Sequence, residues 1–118
     1  TARHPFWGPH RTVATGHSTD EAIRFQGSSG AGITALALHA MRTGMVDAVV
    51  HVRPHDDDPM QNGVAVSETE AEVIARAGSR YAPSSPLETV NDLLASGRRY
   101  CFIGKPCDVS ALRQFQLV

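Results

Sequence analysis

Two cysteines in 118 residues cannot build a disulfide framework, and alone they cannot close a four-thiolate metal site. Long apolar runs are missing too. The longest apolar stretch, around Ile33 to Leu38, falls far short of the roughly 20 residues that a membrane-spanning helix needs, so no membrane span is expected. Charge of one sign is also lacking: eleven basic residues against twelve acidic ones leave a net charge of −1. A nucleic-acid grip carried by bulk positive charge is not expected, which leaves only a local basic patch for such a role. Lysine is nearly absent, because Lys105 stands alone beside ten Arg. Codon bias in a GC-rich genome explains that imbalance, as does a preference for guanidinium forks that suit phosphate and carboxylate groups; composition does not separate the two. The chain has no initiator Met and no signal segment, and it ends within a helical pattern. The expectation is a piece of a longer or processed chain.

What is present is the composition of one globular domain, with 42% apolar and 19% charged residues. Residues 1–17 hold Pro, His, Gly and a Trp without apolar periodicity and are expected to form an irregular arm. Residues 18–118 carry alternating helix and strand signals. Ser18 with Glu21, Ser67 with Glu70, and Ser85 with Glu88 each have capping-box spacing, the last with Pro86 at the first helical position. The longest helix is predicted from about Gly30 to Thr43, where Ile33, Leu36, Ala37, Ala40 and Met41 keep a 3.6-residue spacing. Leu38 and Ala35 widen its apolar face, so cover on more than one side is expected; Gly44 closes it. Val46, Ala48, Val50 and Val52 then mark a buried strand ended by Pro54. A short strand over Gly63–Val66, helices over Glu68–Ala77 and Leu87–Leu94, a strand over Tyr100–Ile103 and a last helix bearing Val109, Leu112 and Phe115 complete the pattern. The fold class this predicts is α/β, a small, partly parallel sheet of three to four strands packed with helices.

Three segments could carry chemistry. Gly27-Ser28-Ser29-Gly30-Ala31-Gly32 opens the longest helix, where small residues admit a ligand to unpaired backbone N–H groups. The hydroxyls of Ser28, Ser29 and Thr34 add donors for a phosphate. No Gly-Lys-Ser/Thr follows and no dinucleotide fingerprint is present, so a tight packing turn explains these glycines equally well. In Gly78-Ser79-Arg80-Tyr81-Ala82-Pro83 the Arg can hold an anion while the ring stacks on a planar group; a capping glycine with a Tyr anchor is the plainer reading. In Gly104-Lys105-Pro106-Cys107-Asp108 a helix start favours the thiolate of Cys107, aided by Lys105. Cys107 is otherwise an ordinary half-buried thiol, and Cys101, within a strand, is a small buried hydrophobe. The six His have no partners at metal-ligand spacing, and Asp56-Asp57-Asp58 lacks the alternation and Gly of a calcium loop.

Taken in order, Phe25-Gln26-Gly27-Ser28-Ser29-Gly30 with its Thr-Ala-Leu helix, Gly44-x-Val46-Asp47, Gly78-Ser79-Arg80-Tyr81-x-Pro83 and Gly104-Lys105-Pro106-Cys107-Asp108 with Ala111-Leu112-Arg113 resemble one family. It is the amino-terminal domain of the coenzyme F420 hydrogenase/dehydrogenase beta-subunit family, and the resemblance covers roughly Phe25 to Gln116. Ala31 stands where many members have Gly, and Lys105 where many have Thr. The resemblance implies a cytoplasmic oxidoreductase subunit that couples flavin and iron–sulfur chemistry, with a larger domain following this one. It implies FAD at Ser28, Ser29, Gly30, Gly32, Thr34, Ser79, Arg80, Tyr81 and Lys105, and Cys107 as one ligand of a 4Fe–4S cluster completed elsewhere. Coenzyme F420 or ferredoxin is the expected electron carrier, with other redox subunits as partners and no catalytic residue assigned. A non-catalytic nucleotide-binding or subunit-interaction module is the alternative.

Overall fold

Val49 and Val50 are 0% and 1% exposed, and with Ala48 and His51 they make the first half of one strand buried on both faces. Only a central strand covered on both sides accepts such a run. In the computed structural model, which describes residues 1–116, that strand is β3 (Ala48–Pro54). β1 (Ala2–His4) and β2 (Gly8–His10) precede it, followed by α1 (Glu21–Gln26) and α2 (Gly32–Arg42). After it come β4 (Asn62–Ser67), α3 (Glu70–Ala75), α4 (Val90–Ala95), β5 (Tyr100–Phe102) and α5 (Pro106–Phe115). β3 pairs antiparallel with β4 and parallel with β5, Val49 lying opposite Ser67 on one side and Cys101 on the other. The sheet order is thus β4-β3-β5. This is the α/β class, with a mixed three-stranded sheet.

α2 packs against α3 and α1. Ile23, Ala31, Ala37, Leu38, Val49 and Val73 form the core, with Met41, Ile74, Cys101 and Ile103 at its margin. The helical face differs from the expected one. Ala37 and Leu38 are both 1% exposed, with Met41 at the core margin, whereas Ile33 and Leu36 of the expected face are 63% and 71% exposed. The apolar helix is therefore covered on one side only by the described residues. Asp47 ties the two parallel strands at their start. Its N–H donates to Arg99 O at 2.8 Å, and its carboxylate accepts from the Arg99 backbone at 2.8 Å and guanidinium at 2.9 Å. Those bonds, the guanidinium first, hold the Asp47 carboxyl below the usual carboxylate range.

The helix starts also depart from the expected caps. Asp20, not Ser18, caps α1, accepting from Ile23 N–H at 3.2 Å. α3 begins with a capping box of Thr69 and Glu72, two residues after the expected pair, because the Ser67 hydroxyl is engaged inside the protein. Ser85 makes no side-chain cap, and the third helix is shorter than its pattern, with Leu94 half exposed. α5 begins at Pro106 as expected. Within the arm expected to be irregular, β1 and β2 pair as a hairpin whose tip exposes Phe6 and Trp7.

The turn before α2 places the rest of the site. Ser29, Gly30 and Ala31 have φ of 51°, 72° and 57°, all left-handed. Each non-glycine there costs about 1–2 kcal/mol. Ser18 N–H donates to Gly30 O at 2.7 Å, and the Ala31 methyl sits in the core. Gly27 meets this turn so closely that an added Cβ would lie 2.3 Å from Ala31 Cβ and 2.8 Å from Ala31 Cα. Gly27→Ala is therefore expected to destabilise the protein by about 1–3 kcal/mol through overpacking. Thermal unfolding checks this, and an unchanged Tm would mean that the turn relaxes freely.

Candidate functional site

A cleft of about 1080 Å³ opens beyond the carboxyl end of β5, where Ile103, Gly104 and Lys105 line it beside His51 and Val52 of β3. Crevices outside the carboxyl ends of parallel strands are where open α/β sheets take ligands. The left-handed turn and the start of α2 form another wall, through Ser28, Ser29, Gly32, Ile33, Thr34 and Leu36. The loop after α3, from Gly78 to Ser84, closes a further side. Ile33 and Leu36, exposed as they are, give the cleft an apolar wall.

Most of the residues singled out from the sequence meet here. Ser28, Ser29, Gly32, Thr34, Ser79, Arg80, Tyr81 and Lys105 all line the cleft. Ser28 Oγ accepts from Ser79 N–H at 2.9 Å, joining segments 51 residues apart, and keeps its own proton for a ligand. Gly32 is the first residue of α2, and a Cβ added to it would meet no protein atom within 4 Å. Its missing side chain leaves open space at the helix N-terminus, where N–H groups are unpaired. Tyr81 is almost fully exposed, its ring free to stack. Lys105 Nζ lies 3.7 Å from Asp108 and 3.5 Å from Ser84 Oγ.

Two candidates fall elsewhere. Gly30 does not line the cleft; its φ of 72° and a Cβ position 2.8 Å from His17 Cβ show that it faces the arm. A bulky residue at Gly30 would disturb the fold itself. Cys107 is exposed on the first turn of α5, beside the cleft-lining Lys105 and Asp108 but outside the lining. Cys101 is half-buried, and burial pushes its thiol up. Among the described residues no three His, Cys, Asp or Glu side chains are grouped as a metal site, so these two thiols do not by themselves fit a cluster.

The structure adds residues that sequence reasoning missed. Asn62, nearly buried, accepts from Arg80 Nε at 2.7 Å and donates to Ala82 O at 3.1 Å, while its N–H reaches Pro83 O at 3.0 Å. It fixes both the loop and the guanidinium. His51 and Ser67 are buried and bonded at 2.6 Å, and Arg76 Nη1 donates to the same hydroxyl at 2.6 Å. Burial first, and Arg76 next, push His51 below its ordinary value against a smaller pull from Glu72, so the ring is neutral. The only signal for His51 was a polar residue within an apolar strand. Ser67 was hidden by its resemblance to a cap. Arg76, Arg80 and Lys105 outnumber Asp108 along the lining, so the cleft carries an excess of positive charge beside its apolar residues.

Comparisons with known proteins give the family. Over 85 residues the chain is 36% identical to 7-hydroxymethyl chlorophyll a reductase, chloroplastic, of Oryza sativa subsp. japonica, which is 71% of this chain and 18% of that protein. A chain of the xenon-derivatized F420-reducing [NiFe] hydrogenase complex from Methanosarcina barkeri superposes with a TM-score of 0.76 at 26% identity. That superposition covers 86% of this chain and 35% of the other. The chain thus spans less than two thirds of either relative. The family model described as coenzyme F420 hydrogenase/dehydrogenase, beta subunit N-term, matches residues 13–91, a segment holding the turn, Asn62, His51 and the Arg80 loop and ending before Cys107. Matched over more than half its length, the chain belongs to the family of coenzyme F420 hydrogenase/dehydrogenase beta-subunit amino-terminal domains.

Proposed function

We propose that this domain binds FAD in the cleft and serves as the front part of a redox subunit that moves electrons between coenzyme F420, or ferredoxin, and a partner or substrate. The observation that carries the reading is the open helix start at Gly32, which lines one cleft together with Ser28 of the preceding turn and with Arg80 and Lys105 from two other segments. A dinucleotide needs both an anion-binding start and an apolar slot, and Ile33, Leu36, Val52 and Ile103 line such a slot. The family and the two relatives, a reductase and a chain of a hydrogenase complex, support redox chemistry.

In this reading the amides at the start of α2 and the Ser28 hydroxyl bind a phosphate, for which that helix end is suited. Arg80, held by Asn62, supplies a charge-assisted hydrogen bond, and Tyr81 a stacking face. Lys105, on the same lining, adds positive charge. Bound there, the flavin supplies the interconversion of two-electron hydride and single-electron chemistry. Cys107 is proposed as one ligand of a 4Fe–4S centre whose other ligands lie outside this sequence. Its exposed place on a helix start suits presentation of a thiolate, whereas Cys101 is held in the sheet.

Gly32→Val provides the first test. The new side chain has room in the protein but fills the space a phosphate needs, so the variant should fold with a Tm near wild type and fail to retain FAD. Stoichiometric FAD in Gly32→Val would remove this turn from the site. Arg80→Ala should weaken FAD binding by about 1–3 kcal/mol, measured by titrating flavin into the apo-protein; unchanged affinity would leave Gly78–Pro83 a structural loop. For the metal, the complete protein purified anaerobically should show flavin and cluster absorption bands. Cys107→Ser should lower its iron and sulfide content while Cys101→Ala keeps it; full content in Cys107→Ser would return Cys107 to the ordinary thiols.

A further inference from the structure

Ser67 is 0% exposed, and its hydroxyl has two neighbours, Arg76 Nη1 and His51 Nε2, each at 2.6 Å. A guanidinium has donors only, so Arg76 occupies a lone pair of Oγ. No other acceptor bonds this hydroxyl among the described residues, and solvent does not reach it. Its single proton therefore goes to Nε2. The neutral imidazole must then carry its own proton on Nδ1. Burial and Arg76 both keep the ring from taking a second proton. The residue is 6% exposed and lines the cleft, and Nδ1 has no hydrogen-bond partner among the described residues, yet it is not sealed from solvent. A donor without a partner among the described residues, on a buried residue that lines a cleft, is available to a ligand there.

We propose that His51 donates its Nδ1–H to the ligand in the cleft, and that Ser67 and Arg76 are positioning residues that lock the tautomer. The acceptor is an uncharged carbonyl or ring nitrogen of the flavin ring system, so the inference rests on the flavin reading above. A neutral donor in a lining that also holds Val52, Val73 and Ile103 matches an uncharged acceptor on a flat, largely apolar ring. Phosphate oxygens find stronger partners at Arg80, Lys105 and the start of α2. His51 thus fixes the orientation of the ring in the slot, while the rim holds the charged part of the dinucleotide.

The test uses the intact protein with 15N-labelled histidine, prepared as apo-protein and titrated with FAD. Long-range 1H–15N spectra of the apo-protein should show His51 protonated at Nδ1 and bare at Nε2, and FAD should shift the Nδ1–H resonance and slow its exchange. His51→Gln, whose amide reaches the Nε2 position, should weaken FAD binding about tenfold, the scale of one well-placed hydrogen bond. His51→Asn, whose amide nitrogen falls near Nδ1, should stay within about threefold of wild type. A proton on Nε2 in the apo-protein overturns the proposal. So do FAD binding that leaves Nδ1–H unmoved and equal losses in the two variants, and either result leaves the flavin reading standing. Failure of wild type to bind FAD at all defeats both readings together. The spectra of wild type alone decide the matter if a variant does not fold.

Discussion

Three successive left-handed residues between α1 and α2 are the constraint on which the cleft depends, since Ser29, Gly30 and Ala31 set where α2 begins and which way its first amides point. Left-handed φ at Ser29 and Ala31 is unfavourable in isolation, so the surrounding structure must over-determine it. It does so from three directions. The Ser18 amide holds Gly30 O, the Ala31 methyl is buried in the core, and Gly27 allows the two chain segments to touch. Ser28, just before the turn, extends the same arrangement to the loop at Ser79. A local backbone strain is thereby converted into a fixed relation between two walls of one cleft.

The cations of the cleft follow a common pattern, each held by a partner that leaves donors over. Asn62 takes Nε of Arg80 and Ser67 takes Nη1 of Arg76, so both guanidinium groups keep further N–H donors. Lys105 rests near Asp108 and Ser84, with Asp108 also accepting the Lys105 backbone N–H at 3.0 Å. Positioned cations lose little further freedom when an anion arrives, which favours binding over a set of freely rotating side chains. The ion pairs elsewhere, such as Arg42–Glu70 and Arg98–Glu68, are exposed and contribute little to stability.

Much of this was legible in the sequence because it depends on short-range chemistry. The glycine-serine turn, the Arg80 loop and the Lys105 turn each have local signatures, and the structure gathers them around one cleft. The strand at Ala48–Pro54 and the helix at Gly32–Arg42 follow from apolar periodicity. What escaped depends on long-range pairing. Ser67 reads as a helix cap until the antiparallel register of β3 and β4 brings it against His51. Ile33 and Leu36 keep helical spacing with Ala37 yet face a cleft, because periodicity identifies an apolar stripe and not what covers it. Gly30 belongs to a ligand-like motif, but its positive φ and the nearby His17 assign it to the turn's own geometry. Asn62 gives no local signal at all, since its partners lie about 20 residues away.

The central claim is that the cleft between the left-handed turn, the Arg80 loop and Lys105 holds a flavin dinucleotide. A crystal structure of the intact protein with FAD measures this most directly. The account predicts phosphate oxygens at about 3 Å from Ser28 Oγ and the first amides of α2, with the ring in the slot lined by Val52 and Ile103. Flavin density at another surface, with this cleft empty or filled by protein side chains, would contradict it.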